Sequence, residues 1–266
     1  VAAALVGIDV PLLVSTQDYG NICALRTLFR GDEICSGSAP LKCLRCAGSD
    51  YGAAKGTAAV AGMFGSRPLL RRKVTRIHSI SRFVAAMIEQ DLRPAAPITI
   101  VPNFSEHLSG TAVDEQVMAQ LPPEPFILFV GALRRVKGLP ELTEAYQRLD
   151  SPPPLVLAGP RAPDTPTGFP DGVTVLTSVP HPTVMAMWDR ALIGVFPSRW
   201  PEPLGNVVYE AMSRGKAVIG TRAGGHEDMI DDDDIGVLVD AGDIVMLAEA
   251  MGRLIAEPGL RDRLGE

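Results

Sequence analysis

Glu202 and Glu210, with seven residues between them, stand in a segment that carries the chain's densest set of chemically capable positions. The apolar run Ala191–Phe196 predicts a buried strand stopped by Pro197. A loop with three prolines, Pro197-Ser-Arg-Trp-Pro-Glu-Pro-Leu-Gly205, follows. A helix is then expected from about Asn206 to Arg214, with Asn206 as N-cap and Gly215 in the left-handed position after the last turn. A second apolar strand, Ala217–Gly220, runs into a Gly224-Gly225 turn. Strand, loop, helix and strand make one βαβ unit, and such units bind ligands at the carboxyl ends of their strands. The amides of Gly205, Asn206 and Val207 at the helix start, with the positive end of the dipole, suit a phosphate. Glu210, one turn inside the helix, suits the vicinal hydroxyls of a ribose, and Glu202 in the loop faces the same crevice. The plainer reading is two solvated glutamates and an ordinary turn. It leaves the ordered run of Glu, Pro and Gly beside a strand unexplained.

A second cradle of the same kind lies upstream. Phe126–Gly131 reads as a buried strand, Ala132-Leu-Arg-Arg-Val-Lys-Gly138 as a basic loop, and about Pro140–Leu149 as a helix. Lys137 supplies a point charge for an anion there, with Arg134 and Arg135 beside it. Buried strands follow at Leu155–Gly159 and Val173–Leu176, joined by an exposed Pro-rich loop. His181 sits between two prolines and reads as a turn residue before the helix that leads to Ala191. Gly236–Val239 is the last expected strand, and Ile244–Ile255 a helix whose apolar spacing packs on a sheet.

The first half is less regular. Val1–Gly20 opens with a helix-like start and then a strand within Val10–Asp18. Cys23, Cys35, Cys43 and Cys46 are the only cysteines and fall in what reads as one polar loop, the last two as C-x-x-C. Four thiolates so spaced suit a structural zinc; two disulfides or four small buried side chains are the alternatives. Arg67, Arg71, Arg72, Lys73, Arg76 and Arg82, interleaved with Leu69, Leu70, Val74 and Ile77, read as a basic, partly amphipathic helical region. That region is either a solvated helix face or a contact for an anionic membrane surface or acceptor. His78–Ser81 reads as a strand-to-helix turn, and Ile98–Asn103 as the final strand of the first domain. Residues 105–124 read as an irregular linker, which places domains at 1–120 and 121–266.

Bulk composition agrees with two ordinary α/β domains: 46% hydrophobic and 21% charged residues. Residues 1–120 carry 12 Lys and Arg against 10 Asp and Glu, residues 121–266 carry 13 against 21. The acidic second half argues against a nucleic-acid partner. No apolar run is long enough to span a membrane and the start lacks a signal-peptide pattern, so the chain reads as cytoplasmic, with peripheral contact at the inner membrane face through 67–82 as an option. No G-x-G-x-x-G follows an expected strand, which disfavours a dinucleotide-dependent dehydrogenase.

The string P-S-x-x-x-E-P-L-G…E-A-M-x-x-G-K-A-V-I-x-T…G-G over 197–225 resembles the retaining glycosyltransferases of family 4. The resemblance implies an α/β fold of the GT-B type, two Rossmann-like doubly wound domains facing across a cleft. The first, acceptor-side domain would be incomplete in this chain and carry the four-cysteine loop. The second would bind a nucleotide sugar, UDP- or GDP-linked, and the reaction would be hexosyl transfer to a glycan, lipid-linked or small-molecule hydroxyl. The resemblance assigns Glu202, Lys137 and Arg134 to catalysis. It assigns Gly131, Arg135, Pro203, Leu204, Gly205, Asn206, Glu210 and Gly225 to the donor. No metal or other cofactor is needed for catalysis in such enzymes, because fixed cations and the helix dipole stabilise the leaving diphosphate. Three positions depart from the family's pattern: Gln17 where a His is usual, Ala132 where an Arg is usual and Phe104 where a Gly is usual. A non-catalytic nucleotide-sugar-binding relative and a GT-B epimerase are the alternative readings. A phosphorylase would need a pyridoxal-phosphate lysine, and no motif marks one.

Overall fold

The computed structural model describes residues 10–31, 33–104, 112–232 and 234–266. The helix-like start expected at residues 1–9 and part of the expected linker, 105–111, lie outside the described residues. The chain forms two compact units, Val1–Asn103 and Phe104–Glu266.

The first unit holds a three-stranded parallel sheet, ordered β1 (Leu13–Thr16), β4 (Arg76–Ser79), β5 (Ile98–Ile100). Between β1 and β4 the chain makes a long excursion. It builds a two-stranded hairpin, β2 (Phe29–Arg30) and β3 (Glu33–Ile34), then helices α1 (Pro40–Tyr51) and α2 (Ala53–Arg72). Helix α3 (Arg82–Leu92) follows β4, and Ser81 caps it by accepting from the Val84 amide at 3.1 Å. Two expectations change here. Cys43 and Cys46 lie on α1 rather than in a loop with Cys23 and Cys35, because Pro40 at the first helical turn starts a helix before them. The basic region is not one helical face either: α2 ends at Arg72, and Arg76 already belongs to β4. Arg67 is consumed internally, 2.6 Å from Asp91 and over the Phe64 ring, and the Arg71 guanidinium donates to the Leu92 carbonyl.

The second unit starts earlier than the expected boundary at 120. Asp114 caps the short helix α4 (Glu115–Met118), and its amide donates to Thr183 Oγ1 at 2.9 Å, so the expected linker is partly structured and packed. The unit is a six-stranded parallel sheet: β6 (Phe126–Val130), β7 (Leu155–Ala158), β8 (Val173–Leu176), β9 (Ala191–Phe196), β10 (Val218–Thr221) and β11 (Val237–Val239). The connecting helices are α5 (Leu139–Gln147), α6 (His181–Arg190), α7 (Asn206–Met212) and α8 (His226–Met229), with α9 (Ile244–Ala256) and α10 (Pro258–Gly265) after the last strand. The near-continuous apolar runs of β6, β7 and β9 have the composition of strands covered on both faces, and all their residues but Val130 and Leu192 are buried. Leu139, Leu142, Ala145, Leu247, Met251 and Leu254 join them in the core.

Spatial strand order is β8-β7-β6-β9-β10-β11. Counted from the first strand of the unit this is 3-2-1-4-5-6, the doubly wound arrangement, and its order reverses between β6 and β9. A crevice opens at such a switch point because the two connections leave in opposite directions. The loops that follow β6 and β9 are the two cradles found in the sequence.

Candidate active site

The two loops are locked together by backbone. After β6 the chain passes Gly131 and a 3₁₀ turn, Arg135–Lys137, to Gly138, which adopts φ 77°. A Cβ on Gly138 would lie 1.9 Å from the Pro197 carbonyl oxygen at the end of β9, so only glycine lets the strands' loops approach. The Arg199 amide donates to the Val136 carbonyl at 2.9 Å and ties the second loop to the first. A third loop joins behind them. Gly224, at φ 72°, forms a bridge with Glu202, a Cβ there would lie 2.3 Å from the Glu202 carbonyl oxygen, and the Gly225 amide donates to that oxygen at 2.7 Å. The Gly224-Gly225 pair is therefore a close-packing device as well as a turn.

This frame puts Lys137 Nζ 2.5 Å from Glu202 Oε1. The same oxygen accepts from Ser198 Oγ at 2.6 Å and Trp200 Nε1 at 2.8 Å, and the Lys137 ammonium lies 5.2 Å from the centre of the Trp200 ring. Glu202 is buried, 6% exposed. Burial alone would raise its pKa, but the charges of Lys137 and His226 and the hydrogen bonds from Lys137 and Ser198 outweigh that and hold it below the ordinary value. Glu202 is thus a fixed, ionised carboxylate.

His226, at the start of α8, is buried behind this pair. Its Nδ1 accepts from the Thr221 amide at 3.4 Å, which leaves the proton of the neutral ring on Nε2, the nitrogen nearest Gly205. Burial is the main reason its pKa falls to about 4; the Lys137 charge adds to the fall, while the charge of Glu202 opposes it.

Helix α7 starts one residue away from expectation: Gly205, at φ 85°, is its N-cap, and Asn206 is its first helical residue. A left-handed cap is needed because the loop must turn sharply over His226. Glu210 lies one turn into α7, and its Oε1 is 3.0 Å from Nε2 of His181, the first residue of α6. His181 is thus more than a turn residue. Arg134 is drawn elsewhere: its Nε pairs with Asp164 at 3.1 Å, and the Arg135 amide donates to the same carboxylate. Gly131 gives its amide to the Ala158 carbonyl at 2.9 Å, Leu204 is buried, and Pro203 has no amide to offer. Of the expected site residues, Lys137 and Glu202 meet directly; Arg134 and Arg135 meet Asp164, and Glu210 meets His181. Sequence reasoning passed over Ser198, Trp200, His226 and Asp164. The first two stand inside the quoted motif, so a search for donors within four residues of Glu202 finds them.

A doubly wound parallel sheet with a cation–carboxylate pair at its switch point places this chain among the open α/β proteins, which bind ligands outside the carboxyl ends of their strands. The comparisons narrow that class. Residues 114–266 match the model of the family described as glycosyl transferases group 1, and the chain belongs to that family. It is 33% identical over 180 residues to alpha-maltose-1-phosphate synthase of Mycobacterium tuberculosis (strain ATCC 25618 / H37Rv), covering 59% of this chain and 46% of that protein. The chain spans about half the length of the curated relatives it matches. Among solved structures, sucrose-phosphate synthase from Thermosynechococcus elongatus superposes with a TM-score of 0.73 at 21% identity, over 99% of this chain and 63% of that one. HepE of Anabaena in complex with UDP-glucose gives 0.71 at 15% identity, over 99% and 68%. The fold class is that of GT-B glycosyltransferases.

Proposed function

We propose that the chain is the donor-binding part of a retaining glycosyltransferase that takes a sugar from a nucleotide diphosphate and delivers it to an acceptor hydroxyl. The observation that carries this reading is the pair of half-buried Lys137 and buried Glu202 at the switch point, 2.5 Å apart, with Ser198 and Trp200 donating to the same carboxylate. A carboxylate with one oxygen fully used is rigid, and Glu202 Oε2 would accept from the donor sugar's hydroxyls. Lys137 would sit at the diphosphate, where negative charge grows as the glycosidic bond breaks; a fixed cation in a water-poor crevice stabilises that charge more than the ground state. Glu210 would accept from the ribose hydroxyls once His181 gives way or shares it. Arg134, held by Asp164, would reach the phosphates only by leaving that partner. The donor would be a UDP- or GDP-sugar, and the acceptor a glycan, a lipid-linked sugar or a small molecule.

The test is binding and turnover with a panel of nucleotide sugars. Glu210→Gln should weaken donor binding about tenfold or more, since a charge-assisted acceptor is worth about 1.5–3 kcal/mol. Unchanged affinity by calorimetry in a folded variant would remove Glu210 from the ribose. A folded protein that binds nucleotide sugar but neither transfers nor hydrolyses it with any acceptor would favour the binding-module alternative.

A further inference from the structure

The first unit carries a second cluster with its own chemistry. Cys23 lies in a tight turn, its amide 2.7 Å from the Tyr19 carbonyl and its own carbonyl accepting from Arg26 at 3.1 Å. Cys35 follows the β2–β3 hairpin, and its amide donates back across the hairpin to the Leu28 carbonyl at 2.8 Å. Cys43 and Cys46 stand one turn apart on α1, the i and i+3 positions that share a helix face. All four are free thiols, and all four line one pocket whose other walls include Leu28 and Ala47. Arg30 and Lys42 line the same pocket.

We propose that this pocket is a structural zinc site in which Cys23, Cys35, Cys43 and Cys46 are the four ligands. Three observations beyond the spacing support the assignment. The thiols come from three separate segments, a turn, a hairpin exit and a helix, as in sites where the ion joins pieces that cannot hold each other. The hairpin exit and α1 are poorly buried: Ile34, Leu41 and Tyr51 are exposed, and α1 buries only Ala47. A zinc ion with four thiolates carries two net negative charges, and Arg30 and Lys42 lie where they offset them.

Among the described residues, no three His, Cys, Asp or Glu side chains converge on one point. Bringing the four sulfurs together asks for thiol rotation between staggered χ1 positions, each of which carries a sulfur by about 3 Å. Each thiol gives its proton to water on binding, and no electrons are exchanged. Soft thiolate ligands in a tetrahedral set select zinc over magnesium or calcium.

The experiment uses the full chain, purified without chelator, and reads metal rather than activity. Elemental analysis should find about one zinc per chain. Titration with an organomercurial should release it to a chromogenic chelator in step with the modification of four thiols. Cys43→Ser and Cys46→Ser should each lower zinc content at least tenfold and speed proteolysis between residues 36 and 51. Should those variants fail to fold, the mercurial stoichiometry of the native chain decides alone. Zinc below a tenth per chain with four freely reactive thiols would overturn the proposal. So would two disulfides, or iron with visible absorption in place of zinc.

Discussion

Replacing Lys137 by Met keeps most of the side chain's volume and removes its charge, leaving Glu202 to face burial with less compensation. The side chains are 25% and 7% exposed, so the pair is more shielded from salt than a surface bridge. At 2.5 Å the gross attraction is roughly 7 kcal/mol with an effective dielectric near 20, and most of that is offset by the desolvation both groups suffer. Removing one member of a buried pair costs about 3–5 kcal/mol because a charge is stranded. Here Ser198 Oγ and Trp200 Nε1 go on donating to Glu202, which moves the expectation down to about 2–3 kcal/mol. Both tryptophans, Trp188 and Trp200, lie in the second unit, so indole fluorescence during urea or thermal unfolding reports that unit. The loss should lower its Tm by about 5–10 °C. Glu202→Gln in the Lys137→Met background should recover at least about 1.5 kcal/mol of coupling, because the stranded charge is then gone. A single-variant loss under about 1 kcal/mol, or additive singles, would refute the claim that the pair is electrostatically coupled.

His226 makes stability depend on pH. Its folded pKa of about 4 lies below the ordinary 6.5, so between those values the unfolded chain binds more protons. Its contribution is therefore complete above pH 6.5 and drains away as pH falls toward 4, with about 2 kcal/mol lost between pH 7 and pH 5. Glu202, held below its ordinary 4.5, is lost only at lower pH, so the earlier slope belongs to the histidine. In His226→Gln the slope from pH 7 to pH 5 should flatten by that amount in urea titrations; an unchanged slope would show that His226 titrates normally. Gly224→Ala places a Cβ 2.3 Å from the Glu202 carbonyl oxygen at φ 72° and should cost about 2–4 kcal/mol by the same fluorescence assay. A cost below 1 kcal/mol would mean that the loop yields where the packing says it cannot.

What the sequence made legible follows from periodicity and punctuation. β9 matches its expected bounds because a continuous apolar run of strand length ended at a proline has few other fates, and β8, Val-Thr-Val-Leu, matches its bounds as a short β-branched segment between turns. α7 was placed but its cap was not. Asn206 is a good capping residue by type, yet the packing of His226 demanded a left-handed residue one step earlier. The charged pair was half legible. Lys137 and Glu202 were each marked by a loop after a buried strand, but their contact needs the β6–β9 register, which no local pattern encodes. Trp200 looked like part of a motif string, and its role as a donor to Glu202 is visible only in three dimensions. The first unit was the least readable part. A C-x-x-C pair says nothing about helix or loop until Pro40 is seen to start α1.

The strand order of the second unit also fixes a sequence of events in time. β6, β7 and β8 follow one another along the chain and are neighbours in the sheet, but the other edge of β6 can be paired only once β9 is present, from Phe126 to Ala191 along the chain. Until then an apolar strand, Phe-Ile-Leu-Phe-Val, shows an unsatisfied row of amides and carbonyls. Parallel pairing over such a separation is slow because loop closure precedes any reward. Refolding from denaturant should therefore run in at least two phases. Chains cut between β8 and β9 should aggregate through that edge, and a nascent chain held at this stage is where a cell's chaperones would be most needed.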